Sequence, residues 1–157
     1  MLALLSIMDK KKLFRLVLIT ISFVGFIVAS IALYYHFDSS GEAFCDVSDR
    51  FNCSVVYSSQ YSYIMGVPVP IFGMFGYFFL IMAILNQKRF ASMLAFSQKE
   101  YWGYGAIIAG FMFLFQSILT IVSSLIIQSY CILCLISQGV ITSVCIGIII
   151  YWKSLKK

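Results

Sequence analysis

Ionisable side chains in this sequence fall into four short blocks, and the long stretches between them carry none apart from cysteine and tyrosine. Asp9, Lys10, Lys11, Lys12 and Arg15 sum to +3, whereas the segment from His36 to Arg50, with Asp38, Glu42, Asp46 and Asp49, sums to −3. Lys88, Arg89, Lys99 and Glu100 sum to +2, and Lys153, Lys156 and Lys157 add +3. Each uncharged stretch is long enough to matter, because a helix crossing the bilayer core needs about 20 apolar residues at 1.5 Å rise each. The apolar content is 62%, the charged content 11% and the mean hydropathy +0.98, so there is too little polar material for a water-facing surface. The same figures exclude a disordered chain and collagen, and a scattered net charge of +5 does not make a nucleic-acid groove.

The expected fold is all-α and integral to a membrane, a single domain over 1–157 with spans at about 16–35, 67–85, 103–128 and 131–152. Pro68 and Pro70 are tolerated because they open the second span. The uncharged run from Gly103 to Trp152 is 50 residues, too long for one crossing, and folds as two with a tight turn near Gln128–Tyr130. The positive-inside rule places both termini and the 86–102 loop in the cytoplasm, and the acidic 36–66 segment and the 128–130 turn outside. A cleaved signal peptide is the alternative for the first span. Its apolar run is long for that role, and Ala29-Ser30 is a weak cleavage-like site. Within 36–66, turn-forming Asp, Ser, Gly and Asn leave room for a short amphipathic helix on the membrane.

Four of the five cysteines share the outer face in this topology: Cys45 and Cys53 in the loop, and Cys131 and Cys134 (a CxxC) at the start of the fourth span. Cys145 lies about 16 Å further along that helix, where a small packing residue is expected. Three chemistries compete for the four outer thiols. Structural disulfides suit an oxidising compartment, although a bridge within a CxxC constrains little. Zinc would take four thiolates, but one of the two expected CxxC knuckles is missing, and the single His36 marks a membrane boundary. A dithiol relay uses the unpaired amides and dipole of a helix N-terminus to favour a thiolate, which exchanges disulfides with a second pair on the same face. Electrons reaching a CxxC half immersed in lipid need a lipid-soluble acceptor, and a quinone between the helices meets that need.

Other polar residues have two readings. The Gln138 amide, four residues after Cys134, either donates to a quinone carbonyl or ties two helices together. Gly139, Ser143 and Gly147, like Gly25 and Ala29, form small-residue stripes suited to close helix packing. Gln116, Ser117, Thr120 and Ser123 give the third span a polar seam expected to bond between helices. Asp46 disfavours a thiolate at Cys45 and Arg50 favours one.

The arrangement resembles the vitamin K epoxide reductase (VKOR) family, in its bacterial and archaeal form. The matching segments are Cys45-Asp46-Val47, Cys53-Ser54, Tyr57-Ser58-Ser59, Ile71-Phe72-Gly73 and Tyr130-Cys131-Ile132-Leu133-Cys134, in family order with family-like intervals. The resemblance implies a four-transmembrane-helix bundle around a quinone (ubiquinone, menaquinone or vitamin K-like), capped by the 36–66 loop. By that resemblance Cys45 meets a thioredoxin-like (DsbA-like) partner, Cys53 exchanges with Cys131, and Cys134 stands next to the quinone. Ser59 matches a loop serine that orients a thiolate or a quinone oxygen, and Phe72 matches a residue near the ring. Val69-Pro70 and Gln138 replace the asparagine-serine and tyrosine of the vertebrate enzymes, which weakens the case for epoxide reduction more than for quinone reduction. Many bacterial members continue into a fused thioredoxin-like domain. This sequence stops at Lys157, so a separate partner protein is expected. The implied activity is thiol oxidation on the outer side of a bacterial or archaeal plasma membrane (the lumenal side of the endoplasmic reticulum in a eukaryote), in support of disulfide formation. A vitamin K quinone or epoxide reductase is the related alternative. A non-catalytic membrane subunit or carrier with structural disulfides is the alternative of another class, although spans without ionisable groups do not suit an ion or proton carrier.

Overall fold

A computed structural model describes residues 10–38, 45–48 and 50–155. Asp9, Glu42, Asp49, Lys156 and Lys157 of the charge blocks lie outside the described residues. Four long helices dominate: α1 (Lys10–Phe37), α3 (Val69–Leu85), α5 (Gln98–Val122) and α6 (Ile132–Ser154). Two short ones, α2 (Cys53–Ser58) and α4 (Gln87–Met93), flank α3 in sequence. Helix is what apolar sequence must form in hydrocarbon, because it satisfies every backbone group internally. Thr20, Ser22, Ser30, Ser117, Thr120, Thr142 and Ser143 all turn their hydroxyls back onto the carbonyl four residues earlier, hiding polar groups within the helix.

Among the described residues, three helical stretches are long and apolar enough to cross a membrane: Lys10–Phe37, Gln98–Ile127 and Ile132–Ser154. The fourth candidate is α3 with α4, bent by 85° at Asn86. At 17 residues α3 alone is about 26 Å long, near the lower limit for a span. The differences from the expected bounds have local causes. α1 starts earlier because the Lys and Arg side chains of its first turns reach water while their backbone stays helical. α3 starts two residues later because Val67–Pro68 (β2) pairs antiparallel with Tyr63–Ile64 (β1) across a turn of two left-handed residues, Met65 and Gly66. α5 begins at a capping box of Ser97 and Glu100 and continues as a π turn over Ser123–Ile127. That turn ends at Gln128 in the left-handed region, and the Ser123 hydroxyl donates to the Ser129 carbonyl at 2.5 Å, reversing the chain into α6.

α1 packs against both α3 and α6, and α5 packs against α6, whereas α3 meets α5 through side chains, the Tyr101 hydroxyl donating to the Ala83 carbonyl at 2.9 Å. The glycine stripes contribute in part. A Cβ at Gly25 would collide with the buried Tyr77 ring, and one at Gly147 would lie 2.5 Å from Leu18. Gly139 and Ser143 face outward, and a Cβ at Gly139 meets nothing within 4 Å among the described residues, so for these two the expected packing is not found there. Phe14, Trp102 and Tyr151 stack at one end of the bundle, where the basic flanks gather. Cys45, Cys53 and Cys131 lie in a separate cluster with Val28, Ala32, Val56, Tyr57 and Leu133. Cys145 packs among the residues around Leu18 and Ile148, apart from those sulfurs.

Candidate active site

The loop reaches the CxxC through backbone pairing. Tyr130 N–H donates to the Arg50 carbonyl at 2.7 Å, and Asn52 N–H donates to the Tyr130 carbonyl at 3.1 Å. This parallel bridge between Phe51 and Tyr130 fixes the loop's register against the residue before Cys131. Asn52 then caps α2, its side chain accepting from Val55 N–H at 3.0 Å, so the helix opens with Cys53 facing the bundle. The expected amphipathic helix is thus present, but Cys53, Val56 and Tyr57 turn inward onto the protein rather than onto lipid. Asp46 holds the other side of the loop by accepting from the Ser54 amide at 3.1 Å and its hydroxyl at 2.5 Å.

Cys45 and Cys53 are joined in a disulfide, whereas Cys131 and Cys134 are free thiols. Cys45, Cys53 and Cys131 are 1%, 0% and 1% exposed, which places the loop disulfide beyond the reach of a protein thiol while the loop is closed. Asp46 and the two loop sulfurs lie within 4.8 Å of one another, yet sulfurs bonded to each other are not thiolate ligands for zinc.

Cys131 is the N-cap of α6, and its sulfur accepts the Cys134 amide hydrogen at 3.3 Å. The Tyr57 hydroxyl lies 3.3 Å from the same sulfur. A hydrogen bond from the Cys134 thiol is the largest influence on Cys131. With the Tyr57 hydroxyl and the Cys134 and Leu133 amides it outweighs burial, so the thiol is lowered to about 7. Burial, then the adjoining sulfur charge, raise the Tyr57 phenol well above its ordinary value and keep it a proton-bearing donor.

Cys134 also lines a cavity of about 350 Å³ between the helices. Ser59 and Phe72 line the same cavity, so three of the expected ligand-side residues meet there. Phe72 of α3 and Phe111 of α5 line it while remaining 43% and 70% exposed. The size and apolar walls suit a flat ring compound. Gln138 does not line this cavity. Its amide nitrogen donates to the Ser117 hydroxyl at 3.0 Å, so of its two readings the structure shows the interhelical tie between α5 and α6.

Two residues gain weight that sequence reasoning gave them no site role for. Gln116 lines the cavity and donates to the Cys134 carbonyl at 3.3 Å, and Tyr57 touches both the cavity and Cys131. Tyr57 follows Cys53 by four residues, so helical spacing puts the two on one face, and that signal was available.

The sequence profile of the Vitamin K epoxide reductase family matches residues 16–149. No curated protein matches the chain. The match spans most of the sequence, and the chain belongs to the vitamin K epoxide reductase family. It is therefore an integral membrane oxidoreductase with a cysteine redox centre.

Proposed function

We propose that the chain oxidises the thiols of a thioredoxin-like partner outside the membrane and passes the electrons through two cysteine pairs to a quinone. The order of the sulfurs carries the reading: a buried loop disulfide, then Cys131 beside it at a helix N-terminus, then Cys134 on the wall of an apolar cavity between the helices. The basic flanks at the opposite end support an outer position for this face by the positive-inside rule.

In the forward direction the partner reduces Cys45–Cys53 by thiol–disulfide exchange through Cys45. The Cys53 thiolate attacks Cys131 of an oxidised CxxC; a Cys53–Cys131 bond forms and the Cys131–Cys134 bond breaks. Cys45 then attacks Cys53, restoring the loop disulfide and leaving both CxxC sulfurs reduced. The observed combination of loop disulfide and free CxxC corresponds to this point in the cycle. A quinone in the cavity takes up two electrons and two protons, leaving as quinol while Cys131–Cys134 re-forms. Phe72 provides an apolar wall for the ring. Ser59 spends its hydrogen on the Val56 carbonyl at 2.8 Å, so towards a ligand its oxygen accepts.

Selective pairing tests the transfer route. In the Cys45→Ser/Cys134→Ser chain, mild oxidation should link Cys53 to Cys131 in nearly every molecule. The complementary Cys53→Ser/Cys131→Ser chain should link Cys45 to Cys134 poorly. Equal yields, or the reverse preference, would contradict the order of exchange.

A further inference from the structure

Tyr57 has a polar contact that the relay as written does not use. Its ring is buried among the loop cysteines, its hydroxyl lies 3.3 Å from the Cys131 sulfur, and no other hydrogen-bond partner of that hydroxyl is found among the described residues. The groups around it limit what the hydroxyl can do. His36 meets the Tyr57 ring edge-on at 5.9 Å, and neither of its ring nitrogens makes a hydrogen bond among the described residues. Asp46 is engaged with Ser54, and Cys45 and Cys53 are bonded to one another. The Cys134 amide approaches Cys131 from the helix side. The phenol therefore meets the one sulfur that must leave in one exchange and attack in the next.

We propose that Tyr57 is a catalytic residue of the relay, donating a hydrogen bond that holds Cys131 as the thiolate in both exchanges. This rests on the thiol-relay reading above. When Cys45 attacks Cys53, the Cys45–Cys53 bond forms and the Cys53–Cys131 bond breaks. The electron pair stays on the Cys131 sulfur, where the hydroxyl receives it without giving up its proton. In the following step the same thiolate attacks Cys134. For this attack Cys134 is first bonded through its sulfur to the quinone ring; the Cys131–Cys134 bond forms, the bond from the Cys134 sulfur to the ring breaks, and the electron pair leaves with two protons as quinol. A better-stabilised thiolate leaves faster, and a larger thiolate fraction attacks more often. The phenol suits a donor rather than an acid, because burial among sulfurs holds its proton firmly.

The test removes one oxygen. In a full-length background with Cys45→Ala, Cys53→Ala and Cys145→Ser, only the CxxC thiols remain, and thiolate absorbance near 240 nm follows their ionisation. Tyr57→Phe should move the first midpoint up by about one pH unit, the size expected for one hydrogen bond to a charged sulfur. Tyr63→Phe, a nearby tyrosine whose ring meets His36 instead, should leave it unchanged. With the native cysteines restored, Tyr57→Phe should slow dithiol-driven quinone reduction about five-fold at pH 7 and approach the parent rate by pH 9. A rate loss equal at all pH values, with an unmoved thiolate midpoint, would overturn the proposal and leave Tyr57 a packing residue. The titration does not need turnover. A shifted midpoint in a chain that reduces no quinone would count against the relay while upholding the Tyr57–Cys131 hydrogen bond.

Discussion

Asp46→Ala should speed reduction of the loop disulfide by a protein thiol. Cys45 and Cys53 are 1% and 0% exposed, so a thioredoxin-like partner reaches them only after the loop lifts. Lifting the Cys45 side separates Asp46 from Ser54, breaking hydrogen bonds of 3.1 Å to the amide and 2.5 Å to the hydroxyl. Hydrogen bonds to a charged group contribute about 1.5–3 kcal/mol. Both residues are half-buried, so solvent screening favours the lower end, about 1.5 kcal/mol. That corresponds to an opening equilibrium about tenfold more favourable. If opening precedes exchange, the rate of Cys45–Cys53 reduction rises by the same factor. The assay mixes purified chain with a reduced thioredoxin-like protein, quenches in acid at intervals and counts the loop thiols by mass after alkylation. Removing the carboxylate also removes a negative charge beside Cys45, so Ser54→Ala is the companion variant. It keeps the charge, loses the hydroxyl bond and should give a smaller increase. An unchanged rate in both variants, with helix content intact by circular dichroism, would refute the argument that this latch governs access.

Other expectations follow from single contacts. Quinone reduction by the unmodified chain should fall as pH drops through about 7. There the Cys131 thiolate is protonated, and the thiolate fraction declines about tenfold per unit below that midpoint; a pH–rate profile checks this. Gly25→Val drives a side chain into the buried Tyr77 ring, which Ser137 also holds by a hydrogen bond, and should cost about 1–3 kcal/mol, read as a lower melting temperature in detergent. Gln138→Leu removes only the tie to Ser117. It should cost about 0.6 kcal/mol and leave the KM for quinone unchanged, whereas Phe72→Ala should raise that KM.

The long apolar helices were legible in the sequence because charge cannot be hidden in hydrocarbon, and the family was legible because a CxxC opening an apolar run has few uses. The rotation of α6 was not. Cys134, Ser137 and Ile141 line the cavity, at spacings of three and four, so the cavity lies on the side of Cys134 that Ser137 occupies. Gln138, one residue further and about 100° around the helix, points to α5 instead. Three-residue and four-residue spacings are equally good neighbours of Cys134 on paper, and packing against α1 and α5 decides between them. The loop presents a similar problem. Turn-forming residues marked it as irregular, but the pairing of Arg50 and Asn52 with Tyr130 joins segments almost eighty residues apart and leaves no local signature. That pairing brings Tyr57 to Cys131, so the hydroxyl contact emerges only once the loop is docked.

The most direct measurement is quinone reduction by the purified chain in detergent, with a reduced thioredoxin-like protein as donor and Cys134→Ala as control. The relay requires quinol to accumulate with the unmodified chain and to cease in the variant, while the donor still reduces Cys45–Cys53. Turnover that survives Cys134→Ala, or a chain that reduces none of several quinones although its loop disulfide accepts electrons, would contradict it.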